Sequence, residues 1–112
     1  MAEPRLNVPL VLESPVRQSD GMGGHRLAWQ TVGKIWAEMR AGSGRERSGQ
    51  AGAQSVVRWR IVTRAAVSGD PRRPGPEQRL RLGERVFRIE AVAESDPDGR
   101  YLTCFAREED QA

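Results

Sequence analysis

Between Gln54 and Arg64 the chain alternates residue by residue. Val57, Trp59, Ile61 and Thr63 share one parity, while Arg58, Arg60 and Arg64 share the other with Val56 and Val62. Successive side chains of a strand point to opposite faces of a sheet, so this period-two run describes a strand with one buried and one wet face. Similar runs recur between Gly-, Pro- and Asp-rich punctuation, which restricts the fold to short antiparallel strands joined by turns. Val8 to Val16 forms a first strand, edged by Pro9 and Pro15, whose missing N–H groups suit an edge or entry position. Leu80 and Leu82 alternate with Arg79 and Arg81. Gly83-Glu84 then turns into Val86 to Glu94, with Phe87, Ile89, Ala91 and Ala93 on one face, which reads as a hairpin. Asp96-Pro97-Asp98-Gly99 is a second strong turn, and Tyr101 to Arg107 follows as the last strand before a polar tail at 108–112.

The segment Leu27 to Arg40 satisfies two periods. Trp29, Val32, Trp36 and Met39 fit a helical face, whereas Leu27, Trp29, Ile35, Ala37 and Met39 fit one face of a strand. Gly33 and the Trp and β-branched content favour a long strand, bulged or bent near Val32-Gly33 as a small barrel needs at its corners. Trp29, Trp36 and Trp59 are most simply core residues, but Trp36 has the opposite parity to Ile35, Ala37 and Met39, which leaves a second reading in which it faces a partner subunit. Residues 41–53 carry four glycines and almost no bulky apolar group, so they are expected to form an exposed, flexible loop. Ser43 and Glu46 have capping-box spacing, leaving room there for a short helical turn. Residues 68–77 hold three prolines and two glycines and predict a stiff surface loop. The expected fold is mainly β: a single domain over 1–112, a small antiparallel barrel of about six strands with a long Gly-rich loop between strands 2 and 3.

At 112 residues and 38% hydrophobic content the chain supports one small core, the kind that gains most from partner subunits. No run approaches the length of a membrane helix and the N-terminus lacks a signal-peptide pattern, so a soluble, unexported protein is expected, with no membrane partner. Cys104 is the single cysteine, which excludes an internal disulfide and a Cys-based zinc site and suits assembly in the cytoplasm. The net charge of +3 hides an asymmetry: Arg40 to Arg64 holds six arginines and one acid, whereas Glu94 to Ala112 holds six acids and two arginines. A protomer with one basic and one acidic region is suited to head-to-tail pairing with its own copies, and the same charges equally fit a plain solvated surface.

No catalytic, cofactor-binding or metal-ligating constellation emerges. His25 is the only histidine and sits in a glycine turn without a paired group. Cys104 alternates with Leu102 and Ala106 as a buried apolar residue, and Asp96-Pro97-Asp98-Gly99 lacks the further oxygen ligands of a calcium loop. Gly42, Gly44 and Gly49 precede no Gly-Lys-Ser/Thr. Arg58, Arg60 and Arg64, with Arg72 and Arg73 in the Pro-rich loop, can track a phosphate backbone or meet carboxylates of a neighbouring subunit.

The stretch from Gly21 to Glu46 carries a Gly-Gly turn, Trp29, Val32, Trp36-Ala37-Glu38 and Ser43-Gly44-Arg45-Glu46. With RWRIVTR (58–64), LRLGERVFRIEAV (80–92) and DGRYLTCFARE (98–108) in the same order, it resembles the phage head-tail joining, or head-closure ("stopper"), family over nearly its whole length. The resemblance implies a non-enzymatic β-barrel of a phage or phage-derived particle such as a gene transfer agent. It implies a homo-oligomeric ring, of twelve or six copies, at the neck between portal and adaptor proteins above and tail proteins below, closing the DNA exit channel. By the same resemblance the segment Ser43 to Gln54, with Arg45, Glu46, Arg47 and Gln50, supplies ring or channel contacts. Non-specific contact with packaged duplex DNA is compatible with the arginines. Two other functions fit part of the sequence: a small basic barrel that binds nucleic acid, and a related adaptor or tail-completion protein.

Overall fold

The computed structural model describes residues 3–47 and 54–109. Six antiparallel strands make up the chain: β1 (Val8–Ser19), β2 (His25–Arg47), β3 (Gln54–Arg64), β4 (Arg79–Leu82), β5 (Arg85–Glu94) and β6 (Tyr101–Glu108). They close into a barrel in the order β1-β2-β3-β6-β5-β4, and the seam between β1 and β4 is short, running from Val11↔Arg81 to Glu13↔Arg79. Closure removes the free edges that an open sheet of this size would expose.

The inner face is lined by Leu10, Leu12, Ala37, Ile61, Leu80, Phe87, Ile89, Cys104 and Ala106, each from the parity that its local alternation predicts. Trp59 packs edge-on against the fully buried Phe87, ring centroids 6.1 Å apart and planes at 86°, a favoured aromatic geometry. A polar group is bound beside this aromatic pair. Glu108 accepts a hydrogen bond from Trp59 Nε1 at 2.9 Å and pairs with Arg85 at 2.8 Å. Glu108 therefore belongs to the folded sheet and not to a polar tail, and Glu109 follows it by donating its backbone N–H to Val86 at 2.8 Å. The sequence understated this boundary because a charged residue reads as solvated until its partners on other strands are known.

Three bulges bend the barrel. Leu12 pairs with Gly33 and Glu13 with Thr31, so Val32 is the extra residue of the first, at the position its neighbour Gly33 predicts. The second sets Gly42-Ser43 against Arg58 alone. A Cβ at Gly42 would come within 2.8 Å of the Arg58 carbonyl oxygen, so glycine lets the two backbones approach. In the third, Glu90 stands unpaired between Ile89↔Ala106 and Ala91↔Phe105. At roughly 3.3 Å per residue a straight strand of β2's length would run to about 70 Å, beyond the 51 Å longest dimension of the molecule, so β2 has to bend.

Each bulge also reverses parity beyond it, and this corrects two face assignments. Leu27 and Trp29 lie on the outer face, not with Ile35, Ala37 and Met39. On β5, Val92 packs inward and Ala91 and Ala93 are exposed. A third correction concerns residues 41–53, expected as a loop with a helical turn. β2 runs on as strand to Arg47, paired with Gln54 of β3, because Gly44 to Arg47 gain a backbone ladder from Gln54 to Val57. Residues 48–53 lie outside the described residues.

Turns are set by local chemistry. Asp20 Oδ1 accepts the backbone N–H groups of Met22 (2.8 Å) and Gly24 (3.0 Å) between β1 and β2, while Gly21 and Gly23 take φ of 80° and 85°, a region open to glycine. Asp96 does the same before β6, accepting from Arg100 and Tyr101 at 2.9 and 3.0 Å, so this segment is a side-chain-braced turn. The 65–78 connection folds on itself through Asp70 and Arg73. Because β4 reaches only Val11 to Glu13 of β1, the β1–β2 hairpin extends beyond the barrel as an arm. The β2–β3 hairpin extends likewise past Arg58, where β6 stops. The two arms leave opposite ends of β2.

Candidate assembly surfaces

The outer face is dominated by arginine, and the sheet register brings residues distant in sequence side by side. Arg79 pairs with Arg88, Arg88 with Arg107, and Arg107 with Arg58, a row of four guanidinium side chains across β4, β5, β6 and β3. Arg40 faces Arg60 in the adjacent register. Like charges directly opposite on a sheet destabilise it, and the chain offsets most of that cost with its own carboxylates. Arg58 binds Glu90 at 2.6 Å, Arg88 binds Glu109 at 3.3 Å and Arg40 binds Glu38 at 2.7 Å. Among the described residues Arg60 and Arg107 have no carboxylate partner. Phe105 lies directly opposite Arg60 and two residues from Arg107, and is 38% exposed.

Glu13 anchors the other side of the row. It points outward from β1 yet is only 6% exposed, held by Arg79 Nε at 2.6 Å and Arg81 Nε at 3.1 Å. Burial pushes its carboxyl up, but hydrogen bonds and charge from the two arginines outweigh burial and leave it below the usual carboxylate range. Glu108 is likewise lowered, chiefly by the Arg85 hydrogen bond and against burial, with help from Trp59. Trp29, on the root of the β1–β2 arm, lies beneath two members of the row, its ring centroid 4.2 Å from the Arg79 guanidinium and 5.4 Å from that of Arg88.

Trp36 occupies a different surface. Paired with Pro9 and 51% exposed, it lines a cleft of about 480 Å³ with Leu6, Ile35, Thr63, Val67 and Arg64. The N-terminal segment forms a neighbouring rim, tied down by Arg5, whose backbone N–H donates to Glu38 at 2.5 Å. Glu3 and Pro4 line a second cleft with Val62, an outward-facing residue that is nevertheless buried.

The residues singled out in sequence thus separate into several places. Ser43, Arg45, Glu46 and Arg47 lie on β2 and Gln54 on β3, together on the β2–β3 arm; Gln50 lies outside the described residues. Trp36 faces outward, away from the arm. Arg58 and Arg60 share the outer face with Arg64, whose guanidinium sits 6.0 Å from the Tyr101 ring centroid. Arg72 and Arg73 are engaged in their own loop, Arg72 with Asp70 at 3.0 Å and Arg73 donating to the Ala66 carbonyl at 2.8 Å. Buried Cys104 has its thiol pushed up to about 12 by burial, against an opposing pull from Arg73, which leaves it unreactive at neutral pH. Sequence reasoning missed Phe105, Arg107 and Arg88, whose significance lies in cross-strand register.

The model of one protein family, described as phage head completion protein, matches residues 1–109. The chain belongs to that family. A chain in a solved structure titled "Virion of native gene transfer agent (GTA) particle" is 59% identical, with a TM-score of 0.84, and the match covers 98% of this chain and 100% of that one. Among curated proteins nothing matches. The candidate functional features of a head completion protein are surfaces that can meet other subunits. The clefts and arginine rows above are of that kind: open, shallow in chemistry and spread over the outer face.

Proposed function

We propose that this head completion protein forms a ring at the neck of a phage-like particle, between the portal and its adaptor and the tail. There it closes the filled head and offers the surface on which the tail docks. The observation that carries the proposal is the near full-length, 59% identity to a chain of a gene transfer agent virion, together with the family match. Physical features of the chain support it. The closed barrel leaves its own strands no open edge, and the two arms extend from opposite ends of β2, suited to contact with different neighbours. The arm holding Ser43, Arg45, Glu46, Arg47 and Gln54 is the proposed ring or channel contact. Trp36, exposed in a cleft of mixed character that it shares with Leu6, Val67, Arg64 and Arg72, is the proposed anchor for another subunit. Arginines facing a channel would meet packaged DNA only through weak, salt-sensitive contacts compatible with sliding.

The nucleic-acid-binding alternative requires exposed aromatics among basic residues on which bases can stack. Trp59 is packed on the core and Trp29 is covered by guanidinium groups, and Phe105 offers one exposed ring beside the arginine row where a bound strand needs a succession of them, which weighs against it.

The test is electron microscopy of particles from a strain lacking the gene. Heads without tails that lose their DNA are the expected result, and normal tailed, filled particles would remove the proposal.

A further inference from the structure

The outer face of β6 carries a group of residues that the fold does not use. Phe105 is 38% exposed at the centre of a polar sheet face. Arg60 stands opposite it and Arg107 follows two residues on along the same face. Among the described residues neither arginine has a carboxylate partner, although Arg58, Arg79, Arg81, Arg85 and Arg88 around them all do. Arg107 is also flanked by arginines on both sides, Arg58 and Arg88. Monomer folding gains nothing from that arrangement, since adjacent like charges on a sheet repel. An aromatic centre with arginines around it is the composition of a protein-binding hot spot. Duplex phosphate would engage the arginines but give the phenyl ring no partner.

The complementary surface is present on the same chain. Glu94 at the end of β5 and Asp98 in the β5–β6 turn that follows are both exposed, the Asp98 side chain at 73%. Asp98 has only a distant contact, 3.9 Å from Arg100, and among the described residues Glu94 has no ion pair. The turn is braced in place by Asp96, through the Arg100 and Tyr101 backbone N–H groups, and by Gly99 donating to the Asp96 carbonyl. It stands at the start of β6, and Phe105 lies about 13 Å further along that strand. A braced turn cannot fold back onto the strand it precedes, so acid and base can meet only between molecules.

We propose that the Arg60–Phe105–Arg107 surface receives the acidic β5–β6 turn of a second copy of this chain, Glu94 and Asp98 pairing with the two free arginines across the Phe105 ring. The two patches differ, so the contact is head-to-tail and leaves each copy able to accept another. This rests on the reading that the protein assembles with its own copies and adds the surfaces that do so.

The test uses the full-length protein in solution, independent of any particle. Sedimentation velocity over a concentration series at low ionic strength should show reversible self-association that weakens as salt is added. Two double variants reverse the charges, R60E with R107E and E94R with D98R. Each alone should weaken association at least about tenfold, while circular dichroism and thermal melting show both still folded. An equimolar mixture should restore it, because each variant then presents a complement to the other. Failure of the mixture to recover, or no self-association of the unaltered protein, would overturn the proposal. If only R60E with R107E has an effect and the acidic variant behaves normally, the occupant is another anionic partner. Tail attachment could fail or succeed in the gene-deletion strain without altering these readings, so the two proposals can fall separately.

Discussion

The Arg79 guanidinium stacks on the Trp29 indole at 4.2 Å while its Nε donates to Glu13 at 2.6 Å. One side chain thereby ties the root of the β1–β2 arm to the β1–β4 seam of the barrel. The seam is only three residue pairs long, so the contact adds support where the ladder is shortest. Arg88 on β5 reaches the same ring, extending the tie to a fourth strand.

Replacing Trp29 with alanine should therefore cost about 1 to 2 kcal/mol, the range for partly desolvated cation–π contacts. It should lower the thermal midpoint by roughly 5 to 10 °C. Trp29→Phe should recover part of the loss. Thermal unfolding followed by circular dichroism measures both, and an unchanged midpoint for the alanine variant would show that the stacking carries no stability.

Glu13 has a pH signature. Its folded-state carboxyl titrates below the ordinary value of 4.5, so the folded state binds this proton less readily than the unfolded chain. The resulting stability is present above the unfolded value and is lost as pH falls through the lower, folded one. Glu108 acts in the same direction. Glu13→Gln should destabilise the protein at pH 7 by about 3 kcal/mol, since it leaves two arginines facing a neutral side chain. It should also flatten the acid limb of a stability-versus-pH curve. An acid limb as steep as that of the unaltered protein would assign the dependence to other groups.

Val32 tests the meaning of the first bulge. Val32→Ala should change stability by no more than about 0.5 kcal/mol, as expected for a partly exposed residue. Deleting the residue removes the extra position and turns Trp29 to the opposite face, away from Arg79 and Arg88. The deletion should be the more damaging change, with a shifted tryptophan emission and faster amide exchange in residues 14–19. Equal effects of the two changes would mean the bulge does not set the register.

Trp36 and Phe87 separate assembly from folding. Phe87 is fully buried, and Phe87→Ala should cost about 3 to 5 kcal/mol through lost contacts and a cavity. Trp36→Ala should leave the monomer's midpoint nearly unchanged while reducing the yield of tailed particles in complementation of the deletion strain. Full particle yield with Trp36→Ala would mean that the cleft it lines is not an assembly surface.

Much of this fold can be read locally. Val57 to Arg64 and Leu102 to Ala106 alternate so plainly that strand and buried face follow from the residues themselves. Asp20, Asp96 and the glycines beside them specify their turns because the bonds involved span only a few residues. Val32-Gly33 marks a bulge through its glycine. Glu90 does not, since Arg88-Ile89-Glu90-Ala91-Val92 reads as unbroken alternation until its pairing with β6 is seen. The same limit hid most of the surface: Arg58, Arg88 and Arg107 are ordinary exposed residues in sequence and neighbours only in the sheet.

The sequence by itself determined the six strands in outline, where the chain turns and the family to which it belongs, because alternation and turn chemistry depend on residues close together along the chain; that β2 continues through Arg47 and β6 through Glu108 was decided by their partner strands. The tertiary structure alone decided the facing of residues beyond each bulge, the enclosure of Glu13 and Glu108, and the row of arginines with Phe105 beside it. Those features depend on register between strands up to several dozen residues apart. Register is a property of the partner strand as much as of the strand itself.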